Sequence, residues 1–191
     1  YAKGKNETVN LHFTVSPEHI NAFQTHVNDV LEKLSTTKFD VSFSTQKKQT
    51  DTIAVNMDNT PFEEKDGSLL FRPAGHGALL ENLNEIDADI IFIKNIDNVV
   101  PDRIKQETIQ YKKALAGLLC QLQEQVFSYQ KLLANGGSNQ LAQIKNFAES
   151  KLSIQFSSTY ESLSDDEKIA VLNNKLNRPI RICGMVKNTG E

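Results

Sequence analysis

Three stretches at the start of the chain decide its fold class: Asn10-Leu-His-Phe-Thr-Val15, then Ser16-Pro-Glu18 with Ile20, Phe23, Val27, Val30, Leu31 and Leu34 behind it, then Phe39, Val41 and Phe43. The first alternates, placing Leu11, Phe13 and Val15 on one face as a half-buried strand does. The second opens with a Ser in the N-cap position, a Pro at the first helical position and an acid in the first turn, and its apolar residues recur at helical spacing. The third alternates again. Strand, helix and strand in this order predict a βαβ unit, hence a parallel sheet with a right-handed crossover.

Downstream, Gln46-Lys-Lys-Gln-Thr-Asp51 is polar and loop-like, and Thr52-Ile-Ala-Val55 reads as a short strand. Asp66-Gly67 marks a turn before Ser68-Leu-Leu-Phe71, so a small β excursion is predicted over about residues 52–72. Residues 78–84 read as a short helix. Asp89-Ile-Ile-Phe-Ile93 is apolar without alternation, the pattern of a central strand covered on both faces. From Pro101 to about Leu133 helix formers dominate, and Asn135-Gly-Gly137 closes that run. Residues 138–150 and the stretch opening at Ser164-Asp-Asp-Glu-Lys168 predict two more helices, the last with a cap and an acidic first turn. Pro179–Val186 reads as a final strand, and no internal repeat is evident. The predicted layout is one domain or lobe: an α/β sheet region over 1–100, a helical segment over 101–178 packed on it as an insertion, and a returning strand within 179–191.

The chain has 191 residues, 39% hydrophobic and 24% charged, with 9 Gly and 5 Pro, which excludes collagen-like and low-complexity classes. Its net charge of -3 and the lack of a basic run argue against a nucleic-acid partner. The longest apolar runs fall far short of the roughly 18 residues a membrane helix needs. Cys120 and Cys183 sit in unrelated settings and read as reduced thiols. With no charged-then-apolar leader, the expected compartment is the cytoplasm.

P-loop, dinucleotide-binding, nucleophile-elbow and zinc-protease motifs are all absent from the sequence. His12, His19 and His26 lie seven apart, but His12 belongs to a strand, so they share no helical face. Two segments point to chemistry. In Arg72-Pro-Ala-Gly-His-Gly77, two glycines flank a histidine at the entry to a helix, which suits close backbone approach by an anion or a base edge; the other reading is a plain strand-to-helix turn. Lys94-Asn-Ile-Asp-Asn98 follows the most apolar strand, where open α/β sheets place their ligand crevice. Asp97 there suits a hard divalent cation, and Asn98 and Lys94 suit sugar hydroxyls or phosphate; the competing role for Asp97 is to cap the helix near Pro101. Lys47 also follows a strand and would rim the same crevice.

The run Phe71-Arg-Pro-Ala-Gly-His-Gly-Ala-Leu-Leu-Glu-Asn-Leu-Asn84, the run Asp89-Ile-Ile-Phe-Ile-Lys-Asn-Ile-Asp-Asn-Val-Val-Pro-Asp102 and the opening His12-Phe-Thr-Val-Ser-Pro-Glu-His19 together resemble a bacterial family of unknown function. That family is similar to the nucleotide-diphospho-sugar transferases, the UDP-sugar pyrophosphorylases in particular. The resemblance implies a mostly parallel, Rossmann-like sheet of nucleotidyltransferase type. It implicates Gly75, His76, Gly77 and Asn98 in nucleotide binding, Lys94 and Lys47 in phosphate or sugar contacts, and Asp97 in holding Mg²⁺. The implied reaction is attack of a sugar 1-phosphate on the α-phosphate of a nucleoside triphosphate, with release of pyrophosphate. Two departures stand out: Ala74 occupies a position where the family carries Gly, and no Gly-rich, Arg-containing triphosphate loop follows the first strand. The chain is therefore expected to be an internal piece of a longer protein, inactive without the rest of its parent chain. The alternatives are a non-catalytic nucleotide-sugar or carbohydrate-binding module, and a structural or interaction lobe.

Overall fold

The computed structural model describes residues 2–3, 7–34, 36–73, 75–96 and 99–185. The fold is α/β and consists of two compact units, Tyr1–Lys94 and Asn95–Glu191.

In the first unit, strand β1 (Thr8–Thr14) leads through a Pro17–His19 turn into helix α1 (Ile20–Leu31) and strand β2 (Lys38–Ser44). The two strands pair in parallel, in register from Thr8 opposite Lys38 to Thr14 opposite Ser44, as the βαβ pattern predicts. Ser16 makes no side-chain cap. Its backbone carbonyl instead accepts the His19 N–H at 3.0 Å, closing a 3-10 turn that starts at Pro17. Alternation sends Phe13 and Phe43 to one face of the sheet, where Phe23 of α1 meets both at ring-centre distances of 5.1 and 6.2 Å. Asn10, His12 and Thr14, with Asp40, Ser42 and Ser44 opposite them, make the other face polar.

The excursion predicted over 52–72 is a small meander holding strands β3 (Thr52–Ile53) and β4 (Phe71–Arg72), which pair antiparallel. It has an eight-residue period. Ala54, Phe62 and Leu70 form a closed ring of backbone hydrogen bonds: Phe62 N–H to Ala54, Leu70 N–H to Phe62 and Ala54 N–H to Leu70, at 2.8, 3.2 and 2.8 Å. Asn59, Gly67 and Gly75, eight residues apart in turn, have φ of 65°, 82° and 77°. In the first two of these turns an aspartate clamps the residue two ahead. Asp58 accepts from the Thr60 N–H and hydroxyl, and Asp66 does the same for Ser68. These hydrogen bonds hold both carboxyls below their usual range.

A 3-10 turn (His76–Leu79) then enters helix α2 (Leu80–Asn84), close to the predicted 78–84. Asp89–Ile93 is not in a strand, and Ile91 and Ile93 are 37% and 70% exposed. The sheet in this unit is thus a two-stranded parallel pair beside a two-stranded antiparallel pair, and no larger parallel sheet is present among the described residues. The reason lies in the nature of strands: an apolar run becomes one only when another edge satisfies its backbone, and composition does not name that edge. The predicted strand over Pro179–Val186 is likewise irregular along its described part, Pro179–Met185.

The second unit has the long helix α3 (Lys105–Ala134), α4 (Leu141–Leu152) and α5 (Asp165–Leu176), matching the three helices read from the sequence. Val126, Tyr129 and Leu133 recur on one face of α3 and pack with Leu141, Ile144 and Ala148 of α4 and Leu172 and Leu176 of α5. Gly136, at φ 76°, and Gly137 end α3; the Gly137 N–H returns to the Leu132 carbonyl at 3.0 Å. Ser164 and Glu167 cap α5 reciprocally. No described helix is long and apolar enough to cross a membrane.

Candidate functional site

The Gly75–Gly77 loop is positioned by helix α2, into which it leads. Four contacts tie α2 and the residue after it to the end of β2 and the chain just beyond. Asn82 donates both amide hydrogens, one to Ser44 Oγ at 2.9 Å and one to the Thr45 carbonyl at 2.8 Å. The Lys47 ammonium pairs with Glu85, and Gln49 donates to Glu81 at 2.6 Å. The segment that begins with Gly75, His76 and Gly77 is therefore held at the C-terminal end of the parallel pair, together with Lys47.

The carbonyl of Thr45 only accepts, which fixes the orientation of the Asn82 amide and turns Oδ1 away. That oxygen is buried and has no hydrogen-bond partner among the described residues, in a residue only 4% exposed. Ser44 is the hub of the polar face. Besides Asn82, its hydroxyl meets His12 Nε2 at 2.8 Å and Thr14 Oγ1 at 3.3 Å, while His12 Nδ1 meets Ser42 Oγ at 2.8 Å. Both imidazole nitrogens are thus engaged by hydroxyls, whichever tautomer is present.

At Gly75 the positive φ favours glycine. A methyl group at Gly75 or Gly77 would meet nothing within 4 Å among the described residues. Lys94 is exposed in the irregular stretch after α2. Asp97, Asn98 and Ala74 lie outside the described residues, as does the side chain of His76. Among the described residues no group of three or more His, Cys, Asp and Glu side chains converges as a metal site would. The structure therefore places Lys47 and helix α2, into which Gly75 and Gly77 lead, at one end of the parallel pair.

Asn82, Ser44 and His12 escaped sequence reasoning as a set. The signal for two of them was available: positions 12, 14, 42 and 44 are the polar half of two alternating strands, so they had to share a face once the strands paired in register. Asn82 gave no such signal in a five-residue helix.

The family model described as "Domain of unknown function (DUF4301)" matches residues 1–191, the whole chain. The chain belongs to that family. No curated protein and no solved structure matches it.

Proposed function

We propose that the chain is a nucleotidyltransferase-like lobe that binds a nucleotide or nucleotide-sugar with Mg²⁺, on a mostly parallel, Rossmann-like sheet of which β1 and β2 are a part. The observation that supports this reading is the anchoring of helix α2, into which the Gly75–Gly77 loop leads, at the C-terminal end of a parallel strand, where α/β sheets take ligands. Gly75, His76, Gly77 and Asn98 would hold the base and ribose, Asp97 would hold Mg²⁺, and Lys94 would face the phosphates. Lys47 meets a phosphate only by exchanging its partner Glu85 for it.

In the intact parent, a sugar 1-phosphate oxygen would attack the α-phosphorus of the triphosphate as the bond to the pyrophosphate oxygen breaks. The protein's share is alignment and charge neutralisation. The pairing of Lys47 with Glu85 and the lack of a Gly-rich triphosphate loop favour a second reading, a binding module without turnover. Two free thiols fit a reducing, cytoplasmic setting for either.

Thermal-shift titration of the chain with UTP, other nucleotides and UDP-sugars, with and without Mg²⁺, tests the reading. Ligand at a hundredfold excess over its Kd stabilises by about 2.7 kcal/mol, a rise of roughly 5–10 °C for a chain of this size. The rise should require Mg²⁺ and vanish in Asp97→Ala. A cooperatively folded chain that shows no rise with any of these ligands refutes nucleotide binding by this lobe.

A further inference from the structure

The hydrogen bonds at Ser44 have directions that leave its hydroxyl poised to give up a proton. Asn82 Nδ2, which can only donate, reaches Ser44 Oγ at 2.9 Å. The hydroxyl has one proton and two remaining contacts, His12 Nε2 at 2.8 Å and Thr14 Oγ1 at 3.3 Å. The imidazole nitrogen is the nearer of the two and the more basic, so the proton belongs to the contact between Ser44 and His12. Nε2 then carries no hydrogen, and Nδ1–H donates to Ser42 Oγ at 2.8 Å, which holds the ring in that tautomer. Thr14 completes the set as a second donor to Ser44 Oγ.

A nucleophile, a base bonded to it and a third group that orients the base are the parts of an activated hydroxyl. The strand register supplies all three here. Thr14 stands opposite Ser44 and His12 opposite Ser42, on one face of two paired strands, so regular backbone fixes these side chains. Helix α2 sets Ser44 from the third side through Asn82. Thr14 and Ser42 are exposed and His12 and Ser44 half-buried, so solvent and a small substrate reach the pair.

We propose that Ser44 and His12 form a nucleophile–base pair that cleaves short, polar acyl esters. Ser44 Oγ bonds to the ester carbonyl carbon, its proton passes to His12 Nε2, and the carbonyl electron pair moves onto the oxygen, where the Thr14 hydroxyl can donate. The pair returns as the bond from carbon to the alcohol oxygen breaks, and His12 gives its proton to that oxygen. Water then attacks the acyl group by the same route and frees Ser44. The acyl group is short and polar because the sheet face around the pair, Asn10, His12, Thr14, Asp40, Ser42 and Ser44, offers no apolar side chain to a long one. This activity goes beyond nucleotide binding and uses neither the Gly75–Gly77 loop nor Asp97.

A fluorophosphonate probe tests the pair on the whole chain. An activated serine displaces its fluoride and forms a P–O bond, which peptide mass spectrometry locates. Ser44 should carry the adduct. In His12→Ala labelling should slow by about 100-fold or more, the span a general base supplies, and free imidazole should restore it, which a purely structural role of His12 does not allow. p-Nitrophenyl acetate should be cleaved faster than p-nitrophenyl octanoate, each rate taken as the excess over Ser44→Ala. The proposal is overturned by no adduct at Ser44, by an adduct formed as fast in His12→Ala, or by a His12→Ala chain that imidazole leaves unlabelled. Faster cleavage of the octanoate overturns the substrate class.

Discussion

Replacing Asn82 tests whether one buried amide holds the loop in place. In Asn82→Ala, the hydrogen bonds to Ser44 Oγ and the Thr45 carbonyl are lost, each worth about 1 kcal/mol net. The buried Oδ1 that lacks a donor goes as well, which returns about 1 kcal/mol. The expected net loss is therefore small, about 1 kcal/mol. Asn82→Asp keeps the shape but removes both donors and sets a carboxyl against the Thr45 carbonyl in a site 4% exposed. At neutral pH its cost should be about 3 kcal/mol or more.

The chain has two compact units, so exchange local to the contact reads the loss of one buried amide more directly than a melting curve of the whole chain. Amide hydrogen exchange over residues 44–50 and 76–85, read by mass spectrometry, reports the contact itself. At one decade per 1.4 kcal/mol, Asn82→Ala should exchange about fivefold faster there, and Asn82→Asp on the order of a hundredfold faster. Burial raises the folded pKa of the introduced carboxyl, so the neutral form is favoured in the folded state. The Asp variant's stability is then present below its unfolded pKa and lost as pH rises through the folded one. Its defect should shrink in acid while that of the Ala variant does not. Equal exchange in wild type and Asn82→Asp at neutral pH would refute the pinning of α2 by this residue.

Other expectations rest on the same geometry. Leu172 of α5, fully buried in the helical core, should cost about 2–5 kcal/mol as Leu172→Ala, measured by chemical denaturation of the helical unit. At Gly137 an added methyl would sit 2.8 Å from the Leu132 carbonyl oxygen, so Gly137→Ala should cost on the order of 2 kcal/mol in the same denaturation assay, whereas an alanine at exposed Gly117, where nothing lies within 4 Å, meets no such clash. Asp58 and Asp66 are held below the ordinary value of 3.8 by hydrogen bonds from Thr60 and Ser68. Their contribution is present above the unfolded pKa and is lost as pH falls through the folded one, so protection of residues 54–70, measured against the intrinsic exchange rate at each pH, should fall in strong acid, less so in Asp58→Asn/Asp66→Asn.

Local interactions made the helices readable. Ser164-Asp-Asp-Glu encodes its own cap within one turn, Asn135-Gly-Gly encodes its own stop, and Leu122, Val126, Tyr129 and Leu133 mark a face by spacing alone. The β1–α1–β2 unit was readable because period-two and period-3.6 patterns alternate across it. The eight-residue period of the meander was not. Its repeat lies in the left-handed positions of Asn59, Gly67 and Gly75 and in backbone hydrogen bonds, and its side-chain trace is one short recurrence, Asp58-Asn-Thr60 and Asp66-Gly-Ser68.

Of the candidate site, the Gly75–Gly77 loop and Lys47 were visible as residue types, but the docking of helix α2 beside Lys47 depends on Asn82 reaching Ser44 and Thr45 across some 38 residues of chain. Composition and periodicity by themselves determined which segments could be helices and which faces would be apolar, because those properties are settled within a few residues. Tertiary structure alone decided which strand edges were paired, and which polar side chains converged at the end of the sheet. A strand's hydrogen bonds and a buried amide's partners are supplied by residues that only the folded chain brings near.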